Sequence, residues 1–342
     1  MNRDTGATFG PAAVDIDIID CQNEPYSYTD SGLVIDHFSW CQASYYDVEI
    51  KRCTSSGSCT TVGKANFRLT TIGHGTDGDR KVEFVTLMDD VTLTGDVGQV
   101  SSQLLRISME CTPYSSAQCT ADANNGKTDT ISGWQSVPST FFRFTSPLTG
   151  STGTDQISWY DFHSTLTLVG ANSVEMGGNG FRCDSATYVY NKGCVFDLVI
   201  ELWYDLSVSN PDVDETAYHI YEAQYWPDRT VPSWEGKTVP GSIDSSEPLT
   251  RVYHDKSLRD ANHRKAVSTC RQYFGDDYAQ RGLDCDEYPF QSTLQGAAAG
   301  DNRYSARALT SSDNQNAGNL LGQWYGSQRI LDGDPFYVAI IE

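Results

Sequence analysis

Short runs that alternate apolar and polar residues recur through the first two-thirds of the chain. Phe67-Arg68-Leu69-Thr70, Val82-Glu83-Phe84-Val85-Thr86-Leu87 and Leu104-Leu105-Arg106-Ile107-Ser108-Met109 each read as a half-buried strand, as do Phe141-Phe142-Arg143-Phe144 and Leu166-Thr167-Leu168-Val169. Val14-Asp15-Ile16-Asp17-Ile18-Ile19 alternates in the same way, and Val195 to Trp203 is the most apolar run. Gly, Ser, Thr, Asn and Asp fill the gaps, and no repeat of fixed period is present. Many short strands with turn clusters between them predict an all-β N-terminal domain, a sandwich or a barrel, over residues 1–230. Tyr218 to Tyr225 fits either a short helix or one more strand.

The pattern changes after Trp226. Pro227, Pro232, Pro240 and Pro248 punctuate a Ser-, Gly- and Thr-rich stretch, which predicts a linker or a surface strap over 231–248. Asp255 to Val267 has helical spacing, with Ser257 as a candidate cap and Asp260 three residues on. Asp284 to Phe290 is extended, because Pro289 disfavours a helix around it. A strand over Arg303 to Leu309 follows, then a polar turn Ser311-Ser312-Asp313-Asn314. The run from Ala317 to Tyr325 is helical, with Leu320, Leu321, Trp324 and Tyr325 on its apolar side. Asp332-Gly333-Asp334 turns the chain into a last strand, Pro335 to Ile341. Residues 249–342 thus predict a small α+β domain.

Composition bounds what these domains are. With 342 residues, 39% of them hydrophobic, two ordinary domains can each bury a core. No apolar run reaches 18 residues, so no membrane span is expected. Ten cysteines without a C-x-x-C pair argue against zinc ribbons and for a disulfide framework. Paired in order, they close short loops, 21–41, 53–59, 111–119, 183–194 and 270–285, although spacing alone leaves the connectivity open. Such a framework suits an extracellular protein, and the first residues, Met1-Asn2-Arg3-Asp4, lack the apolar stretch of a signal peptide. The expectation is the mature part of a secreted chain, with Cys270 bonded to Cys285.

The densest chemistry lies in Asp284-Cys285-Asp286-Glu287-Tyr288-Pro289-Phe290, where three carboxylates fall within four residues. Packed acids repel unless a cation or a shared proton gathers their charge. The alternative is a solvated acidic turn beside a disulfide. An acid on one strand, followed by a second strand and an amide-bearing helix, suits a one-metal phosphodiesterase site. In that reading Asp286, flanked by acids, is the general base, and Glu287 serves catalysis and the metal. Asn314, Asn319 and Gln323 offer oxygen donors for a hard cation, Mg²⁺ or Mn²⁺, and Asn319 and Gln323, four apart, share a helix face. Arg259, Arg264, Lys265 and His254 are candidates for the phosphates. His254 is also a rival base. His37, His74, His163 and His219 stand at no metal-ligand spacing and read as structural. Trp40, Trp134 and Trp159 read as core packing more readily than as a sugar site.

Cys285-Asp286-Glu287-Tyr288-Pro289-Phe290, Asp313-Asn314 with Gly318, and Gly333-Asp334 together resemble the secreted bacterial deoxyribonucleases of the NucA/NucB family. Leu249-Thr250-Arg251 and Asn262-His263-Arg264-Lys265-Ala266 are similar to its actinobacterial members. The resemblance covers about the last 95 residues. It implies a ββα-metal nuclease fold with an aspartate where related nucleases use histidine, acting on DNA. It also implies an acidic or amide metal ligand on the helix, where the register brings Gln323 and Trp324.

Charge argues the other way. The chain carries 24 basic and 45 acidic residues, a poor bulk field for a polyanion. From Thr250 onward the count is 10 against 12, net −2, which leaves 14 against 33, net −19, for the rest. The acidity therefore falls on the β region, which is expected either to restrain the nuclease or to bind a cell-wall or matrix glycan. The competing reading of the whole chain is a surface or glycan-binding β protein with an inactive nuclease-like tail.

Overall fold

The computed structural model describes residues 17–114, 116–121, 125–197 and 202–341. The described residues up to 197 form one compact unit, and those from 202 form another.

In the first unit the alternating runs become two antiparallel sheets. One has six strands, in the order Leu33–Asp36, Ser39–Cys53, Cys59–Gly75, Lys81–Gly95, Ser139–Thr145 and Thr120–Ala121. The other has five, in the order Gly193–Val195, Ser173–Asp184, Ser158–Leu168, Leu104–Pro113 and Gly126–Thr130. Their inward side chains share one core, so the unit is a sandwich. Trp40 lies at its centre, with Phe84 and Phe162 edge-on at 6.2 and 4.9 Å. Arg80 is buried, yet its guanidinium donates to the Ser146 and Gln156 carbonyls and to the Ser146, Ser158 and Ser185 hydroxyls.

Two expected strands come out differently. Asp17 to Ile19 does not extend a strand, because the Asp17 carboxylate accepts from the Asp20 N–H at 2.8 Å and starts a helix over Ile18–Asn23. Val14 to Ile16 and residues 198–201 of the apolar run lie outside the described residues. The cysteines pair in chain order: 21–41, 53–59, 111–119 and 183–194 here, and 270–285 in the second unit.

The second unit contains β1 (Trp203–Ser207), α1 (Asp214–Tyr225), β2 (Leu249–Thr250), α2 (Lys256–Phe274), β3 (Leu283–Tyr288), β4 (Ser305–Thr310), α3 (Ser311–Ser327) and β5 (Pro335–Ile341). β5 lies between β1, its parallel neighbour, and β2, its antiparallel one. β3 and β4 form an antiparallel pair in which Asp286 faces Arg307 and Tyr288 faces Ser305. α2 packs against this pair, and so do α1 and α3. Alternation along β3 sorts its side chains between them. Cys285 is bonded to Cys270 of α2. From the other side of the strand, Asp284 accepts from Ser311 and Gln315 of α3, and Asp286 and Tyr288 meet His219 and Gln224 of α1. The fold class is therefore an all-β region followed by an α/β region.

The expected boundary near residue 230 moves to 198–201, because β1 and α1 belong to the second unit. The proline-rich stretch is a strap rather than a free linker. Lys237 and Val239 are buried, and the Val338 N–H donates to the Gly241 carbonyl at 2.7 Å. Gly241 has φ +110°, and a Cβ there would stand 2.2 Å from the Tyr288 hydroxyl, so only glycine fits. Asp255, not Ser257, caps α2 by accepting from the Leu258 N–H. Ser311 to Asn314 is the first turn of α3 instead of a separate turn, because α1 and α3 cap each other. Asp313 accepts from the N–H groups of Glu215 and Thr216 and from the Thr216 hydroxyl. Glu215 accepts from the N–H and hydroxyl of Thr310. Carboxylates at both helix N-termini meet unpaired N–H groups, a favourable arrangement for each.

Candidate active site

A cavity of about 390 Å³ lies where β3, α2 and α3 converge. Asp286 and Glu287 line it from β3, Arg259 and His263 from α2, and Asn314 from α3. The α3 wall follows helical spacing: Asn314, Ala317, Gly318, Leu321, Gly322 and Tyr325. Gly318 and Gly322 are one turn apart, and a Cβ on either would meet nothing within 4 Å, so this wall stays open.

Both acids are largely covered. Asp286 is 7% exposed and Glu287 9%. Burial, and secondarily the neighbouring Asp286 charge, push the Glu287 carboxyl up to about 8, against an opposing Gln291 N–H. Asp286 Oδ2 lies 2.5 Å from His219 Nδ1, and His219 Nε2 lies 2.6 Å from the Ser305 hydroxyl. Arg259 stacks toward the Tyr253 ring at 5.5 Å, and its buried Nε has no hydrogen-bond partner. An arginine that lines a cavity can donate to an anion held there.

Among the described residues no group of three or more His, Cys, Asp or Glu is arranged to hold a metal. Of the side chains considered as metal ligands, a carboxylate, Glu287, and an amide, Asn314, line the cavity. That set fits a hard cation that keeps most of its water, as Mg²⁺ does with one or two carboxylates. It does not fit a zinc cage.

Several sequence candidates fall elsewhere. Asn319 and Gln323 are exposed and do not line the cavity, since each follows a cavity-facing glycine by one residue, about 100° around the helix. Arg264 is exposed outside the cavity, and Lys265 lines a separate groove with Trp234 and Tyr273. His254 precedes α2, with its N–H bonded to Asp332. Asn262, next to His263, is buried and clamps the loop after β3 by donating to the Gln291 and Thr293 carbonyls.

His219 was expected to be structural and to belong to the β region, yet it touches Asp286. The signal was faint but present: it interrupts an apolar stripe of Ala217, Ile220 and Ala223 on α1. His263, given no role in the sequence reading, lines the cavity itself.

Residues 243–339 match the family model described as Deoxyribonuclease NucA/NucB. No curated protein and no solved structure gives a match. The matched segment holds β2 to β4, α2, α3 and most of β5, and it excludes β1 and α1.

Proposed function

From the premise that residues 243–339 are a NucA/NucB deoxyribonuclease domain, we propose that this protein is a secreted, metal-dependent endonuclease that hydrolyses DNA phosphodiester bonds. The observation that carries the reading is one cavity lined by two buried carboxylates and an arginine with an unpartnered Nε.

In this reading Asp286 accepts the proton of the attacking water. The water oxygen bonds to phosphorus, the bond to the 3′ oxygen breaks, and that oxygen leaves with a proton from solvent. Arg259 donates to a phosphoryl oxygen, where charge is spread during transfer. His263, one turn along α2 from Arg259, lies within the same cavity wall and contacts the substrate. Glu287 and Asn314 would hold Mg²⁺ or Mn²⁺, which when bound supplies charge neutralisation at the phosphate. The high affinity of Glu287 for a proton makes proton and cation competitors for one carboxylate.

Export is supported by five disulfides and no free cysteine among the described residues. No helix of the described residues is long and apolar enough to cross a membrane. The glycan-binding alternative gains no observation. Trp40 and Trp134 are packed in the sandwich core, and of the three tryptophans considered for a sugar site Trp159 alone is exposed.

Nicking of supercoiled plasmid by the full chain tests the reading. Relaxed and linear DNA should form with Mg²⁺ or Mn²⁺ and stop with chelator. Cleavage that persists in chelator would remove the metal, and no cleavage with any divalent cation would remove the activity.

A further inference from the structure

The family-matched segment does not contain everything that touches its central carboxylate. Asp286 is held by a histidine from α1, an element that precedes the segment. His219 is fully buried and is not among the cavity-lining residues, so it does not meet substrate. Its two ring nitrogens are both engaged, with Asp286 Oδ2 at 2.5 Å and with Ser305 Oγ at 2.6 Å. Ser305 stands on β4, directly opposite Tyr288 in the register, two residues from Asp286.

We propose that His219 is the positioning residue of this site: it pins one oxygen of Asp286 and leaves the other to take the proton from water. The proposal rests on the reading of Asp286 as the base. An aspartate carboxyl rotates readily about its last torsion, which is broad and two-fold. A carboxylate accepts only, so Nδ1 carries the hydrogen toward Oδ2. In the neutral ring Nε2 then accepts from the Ser305 hydroxyl, which fixes the tautomer and the ring plane. This is the task that outer hydrogen-bond partners perform for ligands and bases generally. Among the described residues Oδ1 has no partner within the protein, and Asp286 lines the cavity.

The support behind His219 is itself rigid. α1 begins on Asp313, which accepts three hydrogen bonds from Glu215 and Thr216 one turn before the histidine. The stripe of Ala217, Ile220 and Ala223 packs α1 into the core around it. A helix interior could carry an apolar residue at 219 with no desolvation cost, so a polar ring bonded on both sides suits a directional task better than packing alone.

Two conservative variants separate positioning from packing. In His219→Asn the amide nitrogen stands near Nδ1 and can still donate to Asp286. In His219→Gln it stands near Nε2 and serves only the Ser305 side. Both lose similar packing and should lower the unfolding temperature alike. With the full chain, a duplex oligonucleotide and saturating Mg²⁺, H219Q should lose about a hundredfold in kcat and H219N no more than about tenfold. KM and the Mg²⁺ requirement should stay unchanged in both. Equal kcat in the two variants, or kcat that follows unfolding temperature, overturns the proposal. Asp286→Asn in the same assay isolates the premise. If D286N keeps wild-type kcat, the reading of the base fails and the proposal with it; if D286N is inactive while H219N and H219Q are equal, only the positioning role fails. Should the histidine variants not fold, Ser305→Ala decides. A roughly tenfold loss of kcat at constant KM supports the proposal, and an unchanged kcat overturns it.

Discussion

Arg80 in the sandwich and Glu287 in the second unit are buried to a similar degree, at 4% and 9% exposure. Their surroundings differ in kind. Arg80 donates to carbonyls and hydroxyls on several segments, and these bonds hold its guanidinium in place. Glu287 sits beside another acid, faces a cavity, and responds by holding its proton more tightly. A buried ionisable group whose partners are complete is part of the scaffold. One whose charge is left unmatched beside open space stores free energy that a ligand can release, which is the condition expected at a working site.

The sharpest way to break this contrast is to remove each charge. Glu287→Gln should reduce DNA cleavage by roughly a thousandfold at low Mg²⁺, a loss of the size general acid–base and metal-holding groups supply. The same variant should gain stability near pH 8. The ordinary glutamate value is 4.5 and the folded value about 8, so between them the folded state keeps a proton that the unfolded chain has lost. Metal-free wild-type protein should therefore lose stability as pH rises from about 5 to about 8, and E287Q should lack that slope in thermal unfolding. A wild-type slope in E287Q would contradict the shift.

Arg80→Met should do the opposite. Several buried acceptors lose their donor together, and stability should fall by roughly 3–5 kcal/mol. Nicking per folded molecule should be unchanged below the unfolding transition. A cleavage defect in R80M would erase the distinction between scaffold charge and site charge.

The 270–285 bridge sharpens the comparison within the second unit. It closes a loop of 15 residues and ties α2 to β3 one residue before Asp286. Replacing both cysteines by alanine should cost about 3 kcal/mol in denaturant unfolding. It should also lower kcat, because β3 carries Asp286, the proposed base.

Arg259→Met should lower kcat/KM for DNA by about tenfold to a hundredfold, the worth of one or two hydrogen bonds to a charged group. Steady-state cleavage of a short duplex measures it. An effect confined to kcat would assign Arg259 to the transition state alone.

Much of this was legible from the chain. The period-two runs gave the sandwich strands, and Asp284 to Phe290 was readable as an extended acidic segment. Chain-order pairing of the cysteines was one pairing among those that spacing left open, and the structure has it. What was lost was tertiary. α1 contributes to the site through one histidine, marked only by its break in an apolar stripe, and through two reciprocal caps that leave no local signature. Asn319 and Gln323 share a face with each other, but the cavity lies on the neighbouring face.

The boundary mattered most for charge. Residues 1–199 carry 12 basic and 23 acidic residues, net −11, and residues 200–342 carry 12 and 22, net −10. The contrast of −19 against −2 came from dividing the chain at Thr250, and it vanishes at the structural division. The motive for an acidic β region that restrains the nuclease goes with it. What is left is a local asymmetry, Arg259 and His263 beside two acids, within a unit that is acidic as a whole.

The central claim is that Asp286, at that cavity, is the base for DNA hydrolysis. Single-turnover cleavage of a duplex by Asp286→Asn, with DNA affinity and unfolding temperature measured on the same protein, tests it most directly. The account predicts unaltered affinity and folding with a cleavage rate lower by roughly a thousandfold or more. A wild-type cleavage rate in folded D286N would contradict it.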